Sequence, residues 1–246
     1  MEISGIGRIK ADNILNSKDL APAYKIFEDC NAAGISIISG NCISKFQNIP
    51  DSPVVLYYKG NFKKDYFTKT AGIVGSRRCT RDARDITVNL AQKLAESGHT
   101  IISGLAKGVD AYAHTAAIKM EIPTIAILGC SVDICYPSEH IKLMDKIIES
   151  GLVISEYPPT TKPSAFTFPQ RNRLIAALSD ILFVTAAKRK SGSLITAKEA
   201  TSYKHKVYAY MPENASDPDH LGCLSLINEN TARAFSFQSG HFLLKH

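Results

Sequence analysis

The chain has 246 residues, of which 45% are hydrophobic, and it carries 29 Lys and Arg against 23 Asp and Glu. This length and composition are typical of a globular protein and exclude a disordered, collagen-like or low-complexity chain. No apolar run reaches the roughly 18 residues of a transmembrane helix, and the first residues lack the pattern of a signal peptide, so we expect no membrane partner and no secretion. The net charge of +6 permits a polyanionic partner without requiring one.

The six cysteines predict a reducing, cytoplasmic compartment. They form no Cys-x-x-Cys pair and lack histidines at zinc spacing, so we interpret them as small buried thiols and expect no metal and no cofactor. The cysteines are Cys30, Cys42, Cys79, Cys130, Cys135 and Cys223.

Two domains are expected along the chain: a small helical segment over residues 1–52 and a larger domain over residues 53–246. Six short, β-branched, apolar runs in the larger domain predict strands that are buried on both faces. These runs are residues 71–74, 100–103, 124–128, 152–155, 181–184 and 206–211.

Helical patterns separate the predicted strands, at 81–97, 109–120, 138–150, 169–179 and 193–204. The alternation of strand and helix predicts an α/β fold with a doubly wound, mostly parallel sheet that is Rossmann-like. Residues 212–246 are expected to form a short helical stretch and a polar end that pack onto the same domain.

Glycines, hydroxyls and cations directly follow four of the predicted strands. Ligands of open α/β sheets bind beyond the carboxyl ends of the strands, where these loops would share one edge. Glycines let backbone N–H groups approach a ligand, and helix N-termini carry about half a positive charge. A single loop of this kind is more often a tight turn with solvated cations, but four together predict a phosphate-binding rim. The loops are Gly75–Arg78, Gly104–Gly108, Gly129–Ser131 and Lys188–Ser193.

Residues 166–173 combine aromatic rings and cations at a predicted helix start. Pro169 suits the first turn, which puts Arg171 and Arg173 where the helix dipole disfavours a cation by about 0.3–1 kcal/mol. Either a bound phosphate or the carboxylate of Glu156 would compensate, and we expect a phosphate to do so for at least one of the two arginines. The two phenylalanines of the segment either stack on bases, as in single-strand binders, or belong to the core.

Signals of catalysis are weak. The chain has no Gly-x-Ser-x-Gly elbow and no Walker-type phosphate loop. His114 follows alanines on a predicted helix, where a histidine is more often hydrogen-bonded in the core than a general base. Asp110 and Asp133 suit either turns or ribose hydroxyls. We therefore assign no catalytic residue.

Six motifs follow one another in a fixed order across about residues 53–230. They are Gly72–Arg77, Ser103–Asp110, Leu128–Asp133 with Tyr136-Pro137, Ser155–Pro158, Phe168–Ala176 and Ser191–Ala197. In this order they resemble the DNA-processing protein A family, also called DprA or Smf. The resemblance implies an extended Rossmann-like domain that is not an enzyme. It implies binding of single-stranded DNA, a homodimer, and a partnership with the RecA recombinase, which the family helps to load during natural transformation.

The resemblance also implies a basic pocket for DNA phosphates, matched here by the Gly75-Ser76-Arg77 turn and by the Arg171–Arg173 helix start. Together with the rim loops and the aromatic segment, it predicts a DNA-binding set. The set is Gly75, Ser76, Arg77, Arg78, Ser103, Gly104, Lys107, Gly129, Phe166, Phe168, Arg171, Asn172, Arg173, Lys190, Ser191, Gly192 and Ser193.

Both ends depart from the family pattern. Residues Gly5–Ala11 resemble one half of a helix-hairpin-helix whose preceding helix is missing, and we expect a packing remnant there. Many relatives carry a C-terminal winged-helix-like domain, and from the sequence we expect a short form that lacks it.

Two other functions fit the same edge of the sheet. A nucleotide phosphoribohydrolase of the lysine-decarboxylase-like group would carry Pro-Gly-Gly-x-Gly-Thr-x-x-Glu. Residues 191–199 keep Thr196 and Glu199 but lack the proline and two glycines, which should block close approach to a phosphoribose. A nucleotide-binding sensor would use the rim without turnover, and no residue excludes it.

Overall fold

The structure, a computed structural model, describes residues 19–238 and 241–244. Its strands are β1 (Ser36–Ser39), β2 (Val55–Gly60), β3 (Thr70–Gly75), β4 (Thr100–Ser103), β5 (Thr124–Ile127), β6 (Leu152–Ser155), β7 (Ile181–Ala186), β8 (Lys206–Tyr210), β9 (Arg233–Gln238) and β10 (His241–Leu244). Its α-helices are α1 (Ala21–Ala32), α2 (Arg81–Glu96), α3 (Val109–Lys119), α4 (Ile141–Ser150), α5 (Thr167–Leu178), α6 (Ser193–Ser202) and α7 (Leu221–Asn228). Short 3-10 turns lie at Gly40–Cys42, Ser44–Asn48, Lys64–Phe67 and Ser138–His140.

The strands form one sheet in the order β1-β2-β6-β5-β4-β3-β7-β8-β9-β10. The strands from β6 to β9 in this order run parallel, whereas β1, β2 and β10 pair antiparallel at the two edges. The predicted doubly wound, mostly parallel α/β sheet is confirmed.

Helices cover both faces of the sheet. Helices α5, α6 and α7 bury apolar side chains such as Leu174, Ala197 and Cys223 on one face. Helices α2 and α3 cover the other face with residues that include Leu90 and Ala113. Because β3 and β7 are neighbours whose chains continue to opposite faces, a crevice opens between their carboxyl ends.

Helix α2 illustrates how local sequence defines an element. The side chain of Thr80 caps the helix by accepting a hydrogen bond from the backbone N–H of Ala83 at 3.3 Å. Ala83, Ile86, Leu90 and Leu94 recur at helical spacing and are buried against the sheet. The helix ends one residue before the turn that contains Gly98, whose φ of +73° suits glycine.

The part of the chain before the parallel strands packs into the same core. Ile43, Phe46 and Ile49 are buried in one cluster with Leu174 of α5. A division of the chain at residues 52 and 53 stays a prediction. The hairpin-like motif at residues 5–11 lies outside the described residues. Within the described part of the chain, no helix combines the length and apolarity needed to cross a bilayer.

The end of the chain differs from the sequence prediction. Its short helix is present as α7, but the expected polar end contains two strands, β9 and β10. Polar side chains at Arg233, Ser236 and Gln238 interrupt the apolar run of β9, so that no uninterrupted strand pattern marks it. The pairing of β9 with β8 and β10 makes it a strand, and this tertiary contact outweighs the local pattern.

Candidate functional site

A cavity of about 730 Å³ opens at the carboxyl edge of the sheet, in the crevice between β3 and β7. Four segments form its wall: the turn after β3, the segment from the loop after β4 to the start of α3, the first turns of α5, and the loop that leads from β7 into α6. A volume of this size lies within the range of small-molecule and cofactor sites, about 300–1,000 Å³. Its lining includes eleven residues of the predicted DNA-binding set, namely Gly75, Ser76, Arg77, Arg78, Phe168, Arg171, Asn172, Lys190, Ser191, Gly192 and Ser193.

The cavity is strongly cationic. Arg77, Arg78, Arg171, Lys188 and Lys190 line it, and Asp110 is the carboxylate among the lining residues. Burial raises the pKa of Asp110, while Arg171 and backbone N–H groups favour its ionised form. This excess of positive charge in a concave, partly desolvated site favours an anionic ligand.

The turn after β3 exposes two of these cations. The hydroxyl of Ser76 donates to the carbonyl oxygen of Arg78 at 2.7 Å, and the backbone N–H of Ser76 bonds to Ala186 of β7. With Ser76 tied into the protein, the side chains of Arg77 and Arg78 extend into solvent at the mouth. The guanidinium of Arg77 lies 5.2 Å from the ring centre of Phe168.

The start of α6 presents small hydroxyl side chains and a glycine. Ser191 and Ser193 share a hydrogen bond of 2.8 Å between their hydroxyls. Gly192 has nothing within 4 Å of the place where a Cβ would be, so a ligand can approach its backbone. The combination of open backbone, hydroxyls and a helix N-terminus suits an anion.

Two other glycines of the rim leave space that side chains of the protein occupy. A Cβ at Gly104 would overlap the guanidinium of Arg171, and a Cβ at Gly129 would lie 2.9 Å from the ring of Phe168. At both positions a side chain of α5 fills the space in which the sequence analysis predicts a bound ligand. Neither glycine lines the large cavity.

Phe168 lines both the large cavity and a smaller hollow of about 60 Å³. Its ring packs 5.5 Å from that of Tyr136, which is 45% exposed. Lys107 lines the hollow and pairs with Glu139 at 2.7 Å, where both side chains are exposed. Phe166 lies outside both cavities and is 84% exposed, so it does not belong to the core.

Arg171 and Arg173 both bond to protein acceptors. The Nη1 atom of Arg171 donates to the carbonyl oxygens of Gly104 and Ile127, at 2.7 and 2.6 Å. The Nη2 atom of Arg173 donates to both carboxylate oxygens of Glu156, at 2.8 and 2.7 Å. Of the two partners considered for these arginines, the carboxylate is therefore the one that Arg173 contacts.

Two further residues of the interior have structural partners. Ser103 is buried and donates from its hydroxyl to the carbonyl of Ile73 at 2.7 Å. His114 lies 2.7 Å from the hydroxyl of Thr124, and burial lowers the pKa of His114 to about 3. His114 is therefore a neutral, hydrogen-bonded residue of the core at physiological pH. The sequence analysis favoured this role over that of a general base.

The cavity also includes residues outside the predicted set. Lys188 lines it and pairs with the buried carboxylate of Asp219 at 3.1 Å. Ile175, Ile195 and Thr196 line it on its α5 and α6 sides. Lys188 directly follows β7 in a basic run, and this signal could have added it to the set. The apolar lining residues carry no such signal, because side chains of this kind also fill cores.

The fold and this cavity define a Rossmann-like α/β protein with a cationic cavity at the topological switch point of its sheet. The family model of DNA recombination-mediator protein A matches residues 41–243. The chain belongs to this family, as its six motifs predicted.

The relatives are bacterial. Protein Smf of Synechocystis sp. is 41% identical over 233 residues, which cover 92% of this chain and 58% of that protein. DNA processing protein DprA of Streptococcus pneumoniae is 39% identical over 217 residues, or 88% of this chain and 72% of that protein. The chain thus spans little more than half to nearly three quarters of the length of these relatives.

Solved structures of the family share the fold. DNA processing protein A from Streptococcus pneumoniae superposes with a TM-score of 0.81 at 34% identity, covering 96% of this chain and 81% of that one. The protein from Helicobacter pylori, described for its unique single-stranded DNA binding mode, gives 0.74 at 33% identity, covering 81% of this chain and 90% of that one.

Proposed function

We propose that this chain is a recombination mediator that binds single-stranded DNA at the cavity between β3 and β7. The observation that carries the proposal is the cavity itself, where five cations face one carboxylate beside an accessible aromatic ring. Phosphates would contact the exposed cations and the start of α6, and bases would stack on aromatic faces. Single-stranded DNA binding by the Helicobacter pylori relative supports this assignment.

The contacts within the predicted set differ in kind. Arg77, Arg78, Lys190, Ser191 and Gly192 are accessible at the mouth or the wall, whereas Ser193 is buried in the wall. All six are proposed to contact phosphates. Phe168 and the exposed Phe166 offer rings to bases, and Lys107 extends the cationic surface beside Phe168. Arg173, Ser103 and Gly129 support the site from behind, through the bonds and packing described above.

Binding without turnover is part of the proposal. The phosphoribohydrolase alternative needs Thr196 and Glu199 at one ligand. Thr196 lines the cavity, whereas Glu199 is absent from its lining and lies beside Tyr203. Ser191 and Ser193 occupy positions where that enzyme group has a proline and a glycine. We therefore assign no catalytic residue and no cofactor.

The partners that we propose are those implied by membership of the family. We propose a homodimer that delivers bound single strands to the RecA recombinase, in the cytoplasm of a bacterium. The six cysteines are free thiols, and a reducing compartment keeps them so.

Titration of fluorescent oligonucleotides of increasing length tests the function. The proposal requires affinity that rises with length and falls steeply with salt. Tight binding of one mononucleotide without length dependence would instead identify a nucleotide sensor. Release of free base from nucleoside monophosphates would identify the phosphoribohydrolase.

A further inference from the structure

Arg171 differs from the other cations of the cavity in its surroundings. Arg77, Arg78, Lys188 and Lys190 are exposed, whereas Arg171 is 4% exposed. Its Nη1 atom bonds to the carbonyl of Ile127, the last residue of β5, and to that of Gly104, which directly follows β4. The side chain thus links the first turns of α5 to the ends of two strands.

Gly104 is adapted to this link. It has no Cβ to overlap the guanidinium of Arg171, and its carbonyl accepts one of the two hydrogen bonds. Its backbone N–H donates to Asp110 at 3.2 Å, so this one residue joins a buried carboxylate to a buried guanidinium. A glycine at residue 104 is therefore explained by the need to accommodate the guanidinium of Arg171.

This link between α5 and the ends of β4 and β5 fixes the positions of the α5 residues that line the cavity. Phe168 precedes Arg171 by one helical turn, and Asn172 follows it directly, and both line the cavity. The side chain of Phe166, which precedes α5, forms no cap, and among the first N–H groups of the helix that of Thr167 donates to the hydroxyl of Ser164 at 3.3 Å. The link through Arg171 holds the helix one turn further on. A shift of these turns would move the ring of Phe168 away from Gly129, Tyr136 and Arg77.

We propose that Arg171 is a positioning residue that holds Phe168 and Asn172 in the binding geometry and is not itself a phosphate ligand. Moving its guanidinium onto a phosphate would leave the carbonyls of Gly104 and Ile127 unpaired in the interior, which is costly. The inference rests on the proposed single-strand function of the cavity.

The first test replaces Arg171 by lysine. The Arg171→Lys variant keeps the charge, which would suffice for a phosphate, but its side chain is one atom shorter and does not bring a donor to the place of Nη1 between the two carbonyls. We expect affinity for single strands to fall about tenfold, the worth of one stacked base, with no change in the log–log salt slope. Wild-type affinity in this variant would overturn the proposal. So would a slope that becomes shallower by about 0.7 in Arg171→Ala, because it would identify a phosphate contact.

A second variant displaces the guanidinium without touching any charge. In Gly104→Ala the new methyl group would occupy the place of Nη1, so we expect the same loss of affinity at the same salt slope. The double variant should lose no more than either single one, since both break one link. Additive losses would contradict the proposal. Arg84→Lys, an exposed exchange on α2, is the matched control and should bind like the wild type.

Hydrogen exchange of the unliganded protein separates this inference from the proposed function. In Arg171→Lys and Gly104→Ala, amides of residues 167–172 should exchange faster, while those of α2 should stay protected. Circular dichroism verifies that the variants fold, and one folded variant suffices. Unchanged exchange in α5 would overturn the positioning role even if DNA binding holds. Faster exchange in a protein that fails to bind single strands would refute the proposed function alone.

Discussion

Arg77 is the cation whose position most directly suits a phosphate. It is exposed at the mouth of the cavity, and its backbone follows a turn that Ser76 ties to β7. Arg77→Ala should weaken single-strand binding by about 1.5–3 kcal/mol, the range of a charge-assisted hydrogen bond, without lowering the melting temperature. Fluorescence anisotropy beside thermal melts measures both effects. The control is Arg84→Ala, which removes an exposed cation that does not line the cavity. If the two variants bind alike, the phosphate site lies elsewhere.

For Arg173 we expect the opposite result, a loss of stability with little loss of binding. Its two bonds to Glu156 join side chains that are 18% and 19% exposed, so Arg173→Ala leaves a half-buried carboxylate without its partner. We expect a loss of about 1–3 kcal/mol in the free energy of unfolding, with single-strand affinity nearly unchanged. Urea denaturation measures the loss. The double variant Arg173→Ala with Glu156→Gln should recover part of it, because no unpaired charge is then left. Full stability combined with a shallower salt slope would assign Arg173 to a phosphate instead.

At the scale of the element, the start of α6 is the place where a ligand can approach the backbone directly. Gly192 has helical dihedrals, φ −62° and ψ −22°, which alanine also adopts. Gly192→Ala should therefore stabilise the protein by about 0.4–1 kcal/mol through the unfolded chain. The same methyl group would obstruct the approach of a phosphate and cost about 0.5–1.5 kcal/mol of binding, the worth of one hydrogen bond. Ser202→Ala at the other end of α6 is the control for affinity. A Gly192→Ala variant that binds as well as the wild type would exclude a ligand from this turn.

The elements differ in how well the sequence predicts them. The central parallel strands are apolar on both faces, and the predicted runs at 100–103 and 152–155 coincide with β4 and β6. The strands β1, β2, β9 and β10 lie toward the edges of the sheet, where more of their side chains are exposed than in the central strands. Strands β2 and β9 join the sheet through β6 and β8, and β1 and β10 then pair with β2 and β9. Because pairing defines these strands, their local pattern alone cannot predict them.

The site shows the same division between what is local and what is not. The loops of the rim are predictable because the carboxyl ends of parallel strands share one edge. Which rim groups face the cavity is not predictable, because it depends on side chains that arrive from α5. Gly104 and Gly129 have the same local pattern as Gly192, yet Arg171 and Phe168 fill their space.

At the scale of the whole molecule, placement of charge matters more than its sum. The net charge of +6 is modest, but five cations converge on one cavity while other cations pair with carboxylates elsewhere. The sheet creates this concentration because the chains of β3 and β7 leave toward opposite faces. An anionic polymer is thus attracted to one edge of the molecule and not to its whole surface.

The mode of binding follows from that edge. The cavity offers cations, hydroxyls, backbone and aromatic rings, and duplex bases are already stacked and cannot reach such a ring. We therefore predict a preference for single-stranded over duplex DNA with little dependence on base sequence. Each phosphate contact should contribute about −0.7 to the log–log salt slope on single strands, so about four contacts give a slope near −3. If two copies of the chain share one strand, affinity should climb with oligonucleotide length and then level off. Titrations of matched single and duplex oligonucleotides over a range of salt concentrations measure all three quantities. Equal affinity for both forms, or a slope near zero, would reject single-strand binding and favour a small phosphorylated ligand.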